Sequence, residues 1–363
     1  MPCETAHDLC KRHAPDTPCG ACTFKGADRV GARGARHASV RHSVGSHCRC
    51  TPGSNYPVCR MTAATEKSDI TRSYLTLGKG VRPMSTLSDA EFAAFKTLIY
   101  EHSGITFSAL NRSVLESRIR SRLRELALPS ACAYYQQVLA SSAELSALLD
   151  SVTTNLTRFF RNKAHFDSFS HYVIPELVKA KRSVGEHSIT VWSAGCSTGE
   201  EPYTIAMLLK RYAPAAFSCQ VIASDLSLKS LLVARQGYYP RARVSGVPDE
   251  YLRAYFRETQ EGYQINADIR KMVRFDYHNL KHRSMHRNVD VLFCRNVLIY
   301  FDETAQKAVI ERFWDAMSAH SFLFIGHSES LFGMNTKFSF LKTPWGCLYQ
   351  KNDEGSAHEC HAR

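Results

Sequence analysis

The stretch 189–208, ITVWSAGCSTGEEPYTIAML, decides the fold. Ile189, Val191 and Trp192 read as a short buried strand, Gly195 and Gly199 fall in the turn after it, and an apolar, helix-periodic run starts at Pro202. Strand, tight turn and helix in that order form the opening unit of an α/β sheet. In open sheets of this kind a ligand settles at the carboxyl end of the strand, where glycines allow close approach and a helix N-terminus offers free N–H groups. Glu200 and Glu201 in the same turn would repel a phosphate and suit a cationic or hydroxyl-rich ligand. Neither the G-x-G-x-x-G fingerprint nor the G-x-x-x-x-G-K-[ST] loop is present. Taken alone, the glycine pair does not separate a ligand site from a plain strand-to-helix connection.

Downstream the alternation continues. Val221 to Asp225 reads as a second strand ending in an acid, followed by a helix from Leu228 to Gln236 that Gly237 ends. Asp225 lies 26 positions after Gly199, near the ~20-residue offset at which a carboxylate reaches the ribose hydroxyls of a nucleoside cofactor. Residues 238–272 interrupt the pattern with aromatics, charges and a turn at Glu261-Gly262, as an inserted β-hairpin subdomain would. Val273-Arg274-Phe275 resumes the sheet, Asp290 to Phe293 gives a fourth strand, Glu303 to Ala316 a helix and Phe322 to Ile325 a fifth strand. A turn is expected at Met317-Ser318-Ala319-His320, and a closing hairpin near Lys337–Leu341 and Cys347–Gln350. Strands alternating with helices predict a mostly parallel sheet.

Upstream, from Thr86, the texture is helical. Ser88-Asp89-Ala90-Glu91 resembles a capped helix start, with Phe92, Phe95, Leu98 and Ile99 as its apolar stripe. A second helix near Asn111–Leu126 turns Leu115, Ile119, Leu123 and Leu126 inward. Its other faces carry Arg112, Arg118, Arg120, Arg122 and Arg124, either a solvated basic face or a docking face for an acidic helical partner. Helices near Ala131–Leu139 and Ala143–Val152 complete a small bundle. In the next segment Asn155, Thr157 and Arg161 flank the aromatic pair Phe159-Phe160, and three polar groups beside a buried pair need partners.

Composition bounds the remaining choices. The 363 residues carry a net charge of +12, but residues 1–83 hold 13 Lys+Arg against 6 Asp+Glu, so most of the surplus lies there. The rest is ordinary for a soluble domain and does not require nucleic acid. No run approaches the ~18 apolar residues of a membrane span, and the first 30 residues lack an apolar signal-peptide centre, so a cytoplasmic protein is expected. Seven of the 13 cysteines fall within residues 1–60. Their spacings do not match common zinc sites, so no metal is expected and 1–83 read as a disordered extension or a non-native start before Met61 or Met84.

The stretches TNLTRFFR (154–161), WSAGCSTGEEPYTIA (192–206), ASDLSLKSLLVARQGYY (223–239), FCRNVLIYF (293–301) and GHSE (326–329) resemble, in order and spacing, those of the CheR-type chemotaxis protein methyltransferases. The resemblance covers roughly 86–351. It implies an α/β, Rossmann-like methyltransferase sheet, mostly parallel with a closing antiparallel hairpin, preceded by an N-terminal helical domain and carrying a small inserted β-subdomain. The expected bounds are 84–160 for the helical domain, 161–187 for a linker helix, 188–351 for the methyltransferase domain with its insert at 238–272, and 352–363 for a tail. The implied activity is transfer of a methyl group from S-adenosylmethionine to glutamate carboxylates on the cytoplasmic helices of membrane chemoreceptors, giving methyl esters and S-adenosylhomocysteine. The enzyme is expected to be a monomer without direct membrane insertion.

Carried onto this sequence, the resemblance places Asn155, Thr157 and Arg161 at the donor's methionine end and Glu201 as the acidic contact after the glycine turn. Asp225 would hold the ribose, Asn279 and Leu280 would bracket the adenine, and Arg295 and Asn296 would form the far wall. Arg161 and Tyr300 would face the acceptor glutamate. The five arginines of the second helix gain weight as a docking face. Three rivals are weaker. Gly326-His327-Ser328-Glu329-Ser330 misses the last glycine of a hydrolase elbow. A nucleic-acid base methylator would carry a D/N-P-P-Y/F turn where this chain has Cys294-Arg295-Asn296-Val297. A non-catalytic S-adenosylmethionine-binding scaffold would have lost the polar set, which is intact. The short turn at Thr259–Gly262 leaves open whether the insert grips a receptor tail.

Overall fold

The computed structural model describes residues 86–352; the zinc and extension readings for 1–83, and all of the expected 352–363 tail except Asn352, lie outside them. Helix α1 (Asp89–Ser103) begins with a reciprocal cap, in which Ser88 Oγ accepts from Glu91 N–H while the Glu91 carboxylate accepts from Ser88 N–H at 2.9 Å. It ends at Gly104, whose φ of 76° suits glycine. Helices α2 (Arg112–Glu125), α3 (Ala131–Ala140) and α4 (Ser142–Val152) close around Phe95, Ile99, Leu115, Ile119 and Tyr134, all fully buried. The 3.6-residue spacing of the apolar positions is why each helix presents one face to this core. Residues 153–162 then cross to the sheet without regular structure. Helix α5 (Lys163–Ser168) runs through a π-helical turn (Phe169–Val173) into α6 (Ile174–Ser183). Phe166 and Phe169 of this stretch pack on Phe293 and Phe324, which stack 4.4 Å apart on neighbouring strands.

The main sheet starts with β1 (Ser188–Ala194), α7 (Glu200–Tyr212), β2 (Ser218–Asp225) and α8 (Leu228–Gln236). A three-stranded antiparallel insert follows. It is built from β3 (Tyr238–Pro240), the short helices α9 (Arg241–Val244) and α10 (Asp249–Tyr255), and strands β4 (Phe256–Glu258) and β5 (Gly262–Ile265), with β5 central. After α11 (Ala267–Met272) the sheet resumes with β6 (Val273–Tyr277), β7 (Val289–Cys294), α12 (Glu303–Ala316) and β8 (Met317–Ile325). Strands β9 (Ser339–Lys342) and β10 (Cys347–Lys351) close it. The order is β6-β2-β1-β7-β8-β10-β9, parallel up to β8 and antiparallel beyond. Every residue of β7 is buried, as a central strand covered on both faces requires.

One expected boundary is corrected. Met317 to His320 belong to β8 rather than to a turn before it, because Met317 already pairs with Val289 and the register slips before Phe322 meets Val291. His320 absorbs the irregularity at φ 52°.

Candidate active site

The strand order reverses direction between β1 and β7, and at that switch point the carboxyl ends of both strands open a crevice. One cavity fills it. Asn155, Thr157, Arg161, Glu201, Asp225, Asn279, Leu280, Arg295, Asn296 and Tyr300 all line that cavity, together with Ser103, Ile105 and Val152 of the helical part. The geometry therefore brings together residues spread over almost 200 positions of chain.

Asp225, at the end of β2, is 8% exposed. Its Oδ2 accepts from Ser197 N–H at 2.7 Å and its Oδ1 from Ser227 N–H at 2.8 Å. Burial raises its pKa while these two bonds pull it down. Each oxygen keeps a lone pair free for a ligand hydroxyl. The turn beside it is shaped by Gly195 at φ 82°, where a Cβ would run into Val297 Cγ2. Ser197, at φ 50°, is buried, and its Oγ has no hydrogen-bond partner among the described residues.

The two glutamates of the turn part company. Glu201 faces the cavity, accepting from Ser193 Oγ at 2.8 Å and from Arg295 Nη1 at 3.0 Å. Arg295 has a side chain only 3% exposed, also donates to the Arg161 carbonyl at 2.5 Å, and lies over the Phe166 ring at 5.2 Å. Burial lowers its pKa, with Glu201 opposing. Glu201 thus lines the cavity while ion-paired to a buried arginine. Glu200, read from the sequence as a second ligand-facing carboxylate, points the other way. It is fully buried and takes Arg243 Nε of the insert at 2.9 Å and Thr198 Oγ1 at 2.7 Å. Arg243 Nη2 reaches Thr198 Oγ1 at 2.6 Å and Tyr239 Oη donates to the Thr198 carbonyl at 2.7 Å, so the insert braces the glycine turn.

Asn279 accepts from Lys281 N–H at 3.0 Å and donates to the His102 carbonyl at 2.6 Å, pinning the end of α1 to the sheet. Leu280 and Leu226 supply apolar wall, and His278 stands beside them with its pKa pushed down to about 4 by burial. Asn296 sits at φ 59°. Tyr300 follows in a single 3-10 turn (Leu298–Tyr300), its carbonyl accepting from Thr106 N–H at 2.8 Å. Arg161 Nη1 donates to the Leu156 carbonyl at 2.8 Å, curling 156–161. Cys196 and Cys294 are buried thiols with pKa raised well above the ordinary value by burial, and neither suits a nucleophile.

Sequence reasoning missed Glu329. Its carboxylate accepts from Asn296 N–H at 2.9 Å, Ile299 N–H at 3.2 Å and Gly326 N–H at 2.5 Å, so it holds the loop that carries Arg295 to Tyr300. The GHSE motif is therefore a loop clamp, and its glycine is required because a Cβ would lie 2.5 Å from Glu329 Oε2.

The five arginines of α2 divide. Arg122 grips Glu144 of α4 through Nε at 3.1 Å and Nη2 at 2.8 Å, with side chains 13% and 10% exposed. Arg112 bonds Asp89 at 2.5 Å, Glu116 at 3.0 Å and the Leu87 carbonyl at 2.5 Å. Both hold the bundle together. Arg118 and Arg124 are exposed, and Arg120 is half-buried.

Comparison with known proteins agrees with this architecture. Residues 90–153 match the model of the CheR methyltransferase all-alpha domain and residues 155–347 that of the CheR methyltransferase, SAM (S-adenosylmethionine) binding domain. The chain is 34% identical over 270 residues to the chemotaxis protein methyltransferase of Borreliella burgdorferi, covering 72% of this chain and 94% of that protein. It is 36% identical over 263 residues to that of Escherichia coli K12, covering 70% and 88%. It is 33% identical over 281 residues to chemotaxis protein methyltransferase 2 of Vibrio cholerae, covering 75% and 96%. With both domain models matched in order and the crevice at the expected strand ends, the chain belongs to the CheR methyltransferase family, enzymes of chemotaxis that draw their methyl group from S-adenosylmethionine.

Proposed function

We propose that this enzyme methylates glutamate side chains on the cytoplasmic helices of chemoreceptors, acting as a cytoplasmic monomer. The observation that carries this reading is that, among the described residues, no side chain lining the cavity is a free base poised for an acceptor. Of the cavity's two carboxylates, Glu201 is held by Ser193 and Arg295, and Asp225 by two backbone N–H groups. His278, with a pKa of about 4, is a feeble proton acceptor. An amine or hydroxyl acceptor would have to lose a proton here, whereas a glutamate is already ionised near pH 7.

The residues fit the donor. Asp225 would take the ribose hydroxyls, Leu280 and the neutral His278 would flank the flat base beside Asn279, and Asn155 and Thr157 would line the methionine end. The Ser197 hydroxyl, without a hydrogen-bond partner among the described residues, leaves a bond for a ligand at the turn. S-adenosylmethionine supplies a methyl group already activated by its sulfonium and leaves as S-adenosylhomocysteine. Arg161 and Tyr300 orient the acceptor carboxylate; Arg161, already tied to Leu156, guides it without fully neutralising it. Arg295 and Asn296 form the far wall. Arg118, Arg120 and Arg124 would meet the acidic receptor helix, with Arg112 and Arg122 shaping the helix that presents them.

The test uses methyl-labelled donor and chemoreceptor-bearing membranes. Label released by mild base as methanol supports carboxyl methyl esters. Base-stable label would overturn the acceptor assignment.

A further inference from the structure

Three guanidinium groups line the cavity, and the chain itself holds two of them. Arg295 is buried against Glu201, and Arg161 donates to the Leu156 carbonyl. Arg158 is exposed and, among the described residues, has neither a hydrogen-bond nor an ion-pair partner. Its neighbour Phe159 is 2% exposed and anchored between Tyr239 and Phe256 at 4.9 and 5.4 Å, so the backbone that carries Arg158 is fixed. On the same cavity lie two apolar side chains open to solvent, Leu156 at 77% and Ile299 at 50%. An unpaired cation and two exposed apolar groups lining one reaction cavity match an amphipathic, acidic segment.

We infer that Arg158 is a specificity-determining residue for the acceptor: it pairs with a second carboxylate one helical turn from the glutamate being methylated, while Leu156 and Ile299 cover that helix's apolar neighbours. Residues three or four apart on a helix lie about 5–6 Å from one another, so a second acid at that spacing is presented together with the first. The inference rests on the acceptor reading above.

The experiment measures methylation of receptor cytoplasmic fragments that the wild type labels, and of the same fragments with acids flanking the methylated glutamate changed to glutamine. On the native fragment, Arg158→Gln lowers kcat/KM roughly 2–5-fold, the size of an exposed ion pair, and Arg158→Glu lowers it further. Affinity for S-adenosylhomocysteine and kcat stay at wild-type values. On the neutralised fragment the wild type drops to the level of Arg158→Gln, and a flanking Glu→Lys change restores Arg158→Glu. Equal kcat/KM for wild type and Arg158→Glu overturns the inference, as does an equal loss on both fragments. A parallel loss of S-adenosylhomocysteine affinity would instead make Arg158 a donor contact. Failure of the wild type to label any fragment sinks the acceptor reading itself.

Discussion

Glu201→Gln separates two jobs that one carboxylate could do. If Glu201 served mainly to attract the donor's positive charge, its neutral isostere would cost donor affinity and leave the fold intact. The structure points to a frame instead. Glutamine can keep the Ser193 bond, but either its amide turns donor against donor toward Arg295 Nη1, or its oxygen meets Arg295 without the charge that balances a side chain 3% exposed. Removing one partner of such a buried pair costs roughly 3–5 kcal/mol. For a folded unit of this size that is a fall in melting temperature of roughly 6 °C or more. The double variant Glu201→Gln/Arg295→Met removes the unmatched charge and keeps apolar bulk over Phe166, so it melts above Glu201→Gln alone. Circular dichroism melts of the four proteins, with calorimetric titration of S-adenosylhomocysteine, complete the cycle. A Glu201→Gln variant that melts with wild type would refute the frame, as would losses that simply add in the double variant.

Four other outcomes follow from the same geometry. Asp225→Asn should weaken S-adenosylhomocysteine binding roughly 10–100-fold by calorimetry, the worth of a charge-assisted hydrogen bond to the ribose; unchanged affinity would remove Asp225 from the ribose site. Arg161→Ala should lose turnover more than donor affinity, and equal losses would move it to the donor side. His165 and His278 have pKa values lowered from 6.5 to about 4 by burial. The unfolded chain therefore binds protons first, and stability that is full above pH 6.5 is lost as pH falls toward 4, roughly 2 kcal/mol per histidine at about pH 5. Melts at two pH values should show a smaller acid loss for His165→Phe, which keeps the contact with Phe324, and an identical loss would discount the histidine. Finally, Arg118→Glu should raise the receptor KM with an unchanged melt, whereas Arg122→Glu sets a carboxylate against buried Glu144 and should unfold the bundle. Receptor kinetics indifferent to Arg118 would dismiss α2 as a docking face.

Much of the pocket was legible because its parts sit at strand ends. The period of the apolar residues located β1, β2, β6 and β7, and the polar residue after each strand then had to fall on one edge of the sheet. What stayed hidden were choices made by tertiary contact. Glu200 and Glu201 are adjacent in sequence, and only helix geometry sends one toward the insert and the other into the cavity. Arg122 looks like its neighbours until α4 brings Glu144 against it. Glu329 clamps a loop 30 residues upstream, a partnership that no local pattern records. The strand start at Met317 was hidden by an irregular register, since Ser318 and His320 break the apolar run that would have announced it.

The most direct test of the central claim is peptide mapping by mass spectrometry of a receptor cytoplasmic fragment after incubation with the enzyme and S-adenosylmethionine, before and after mild base. The account predicts one added methyl on defined glutamates, removed by base and absent with Asp225→Asn at limiting donor. A methyl group on lysine, on a hydroxyl or on nucleic acid, stable to base, would contradict it.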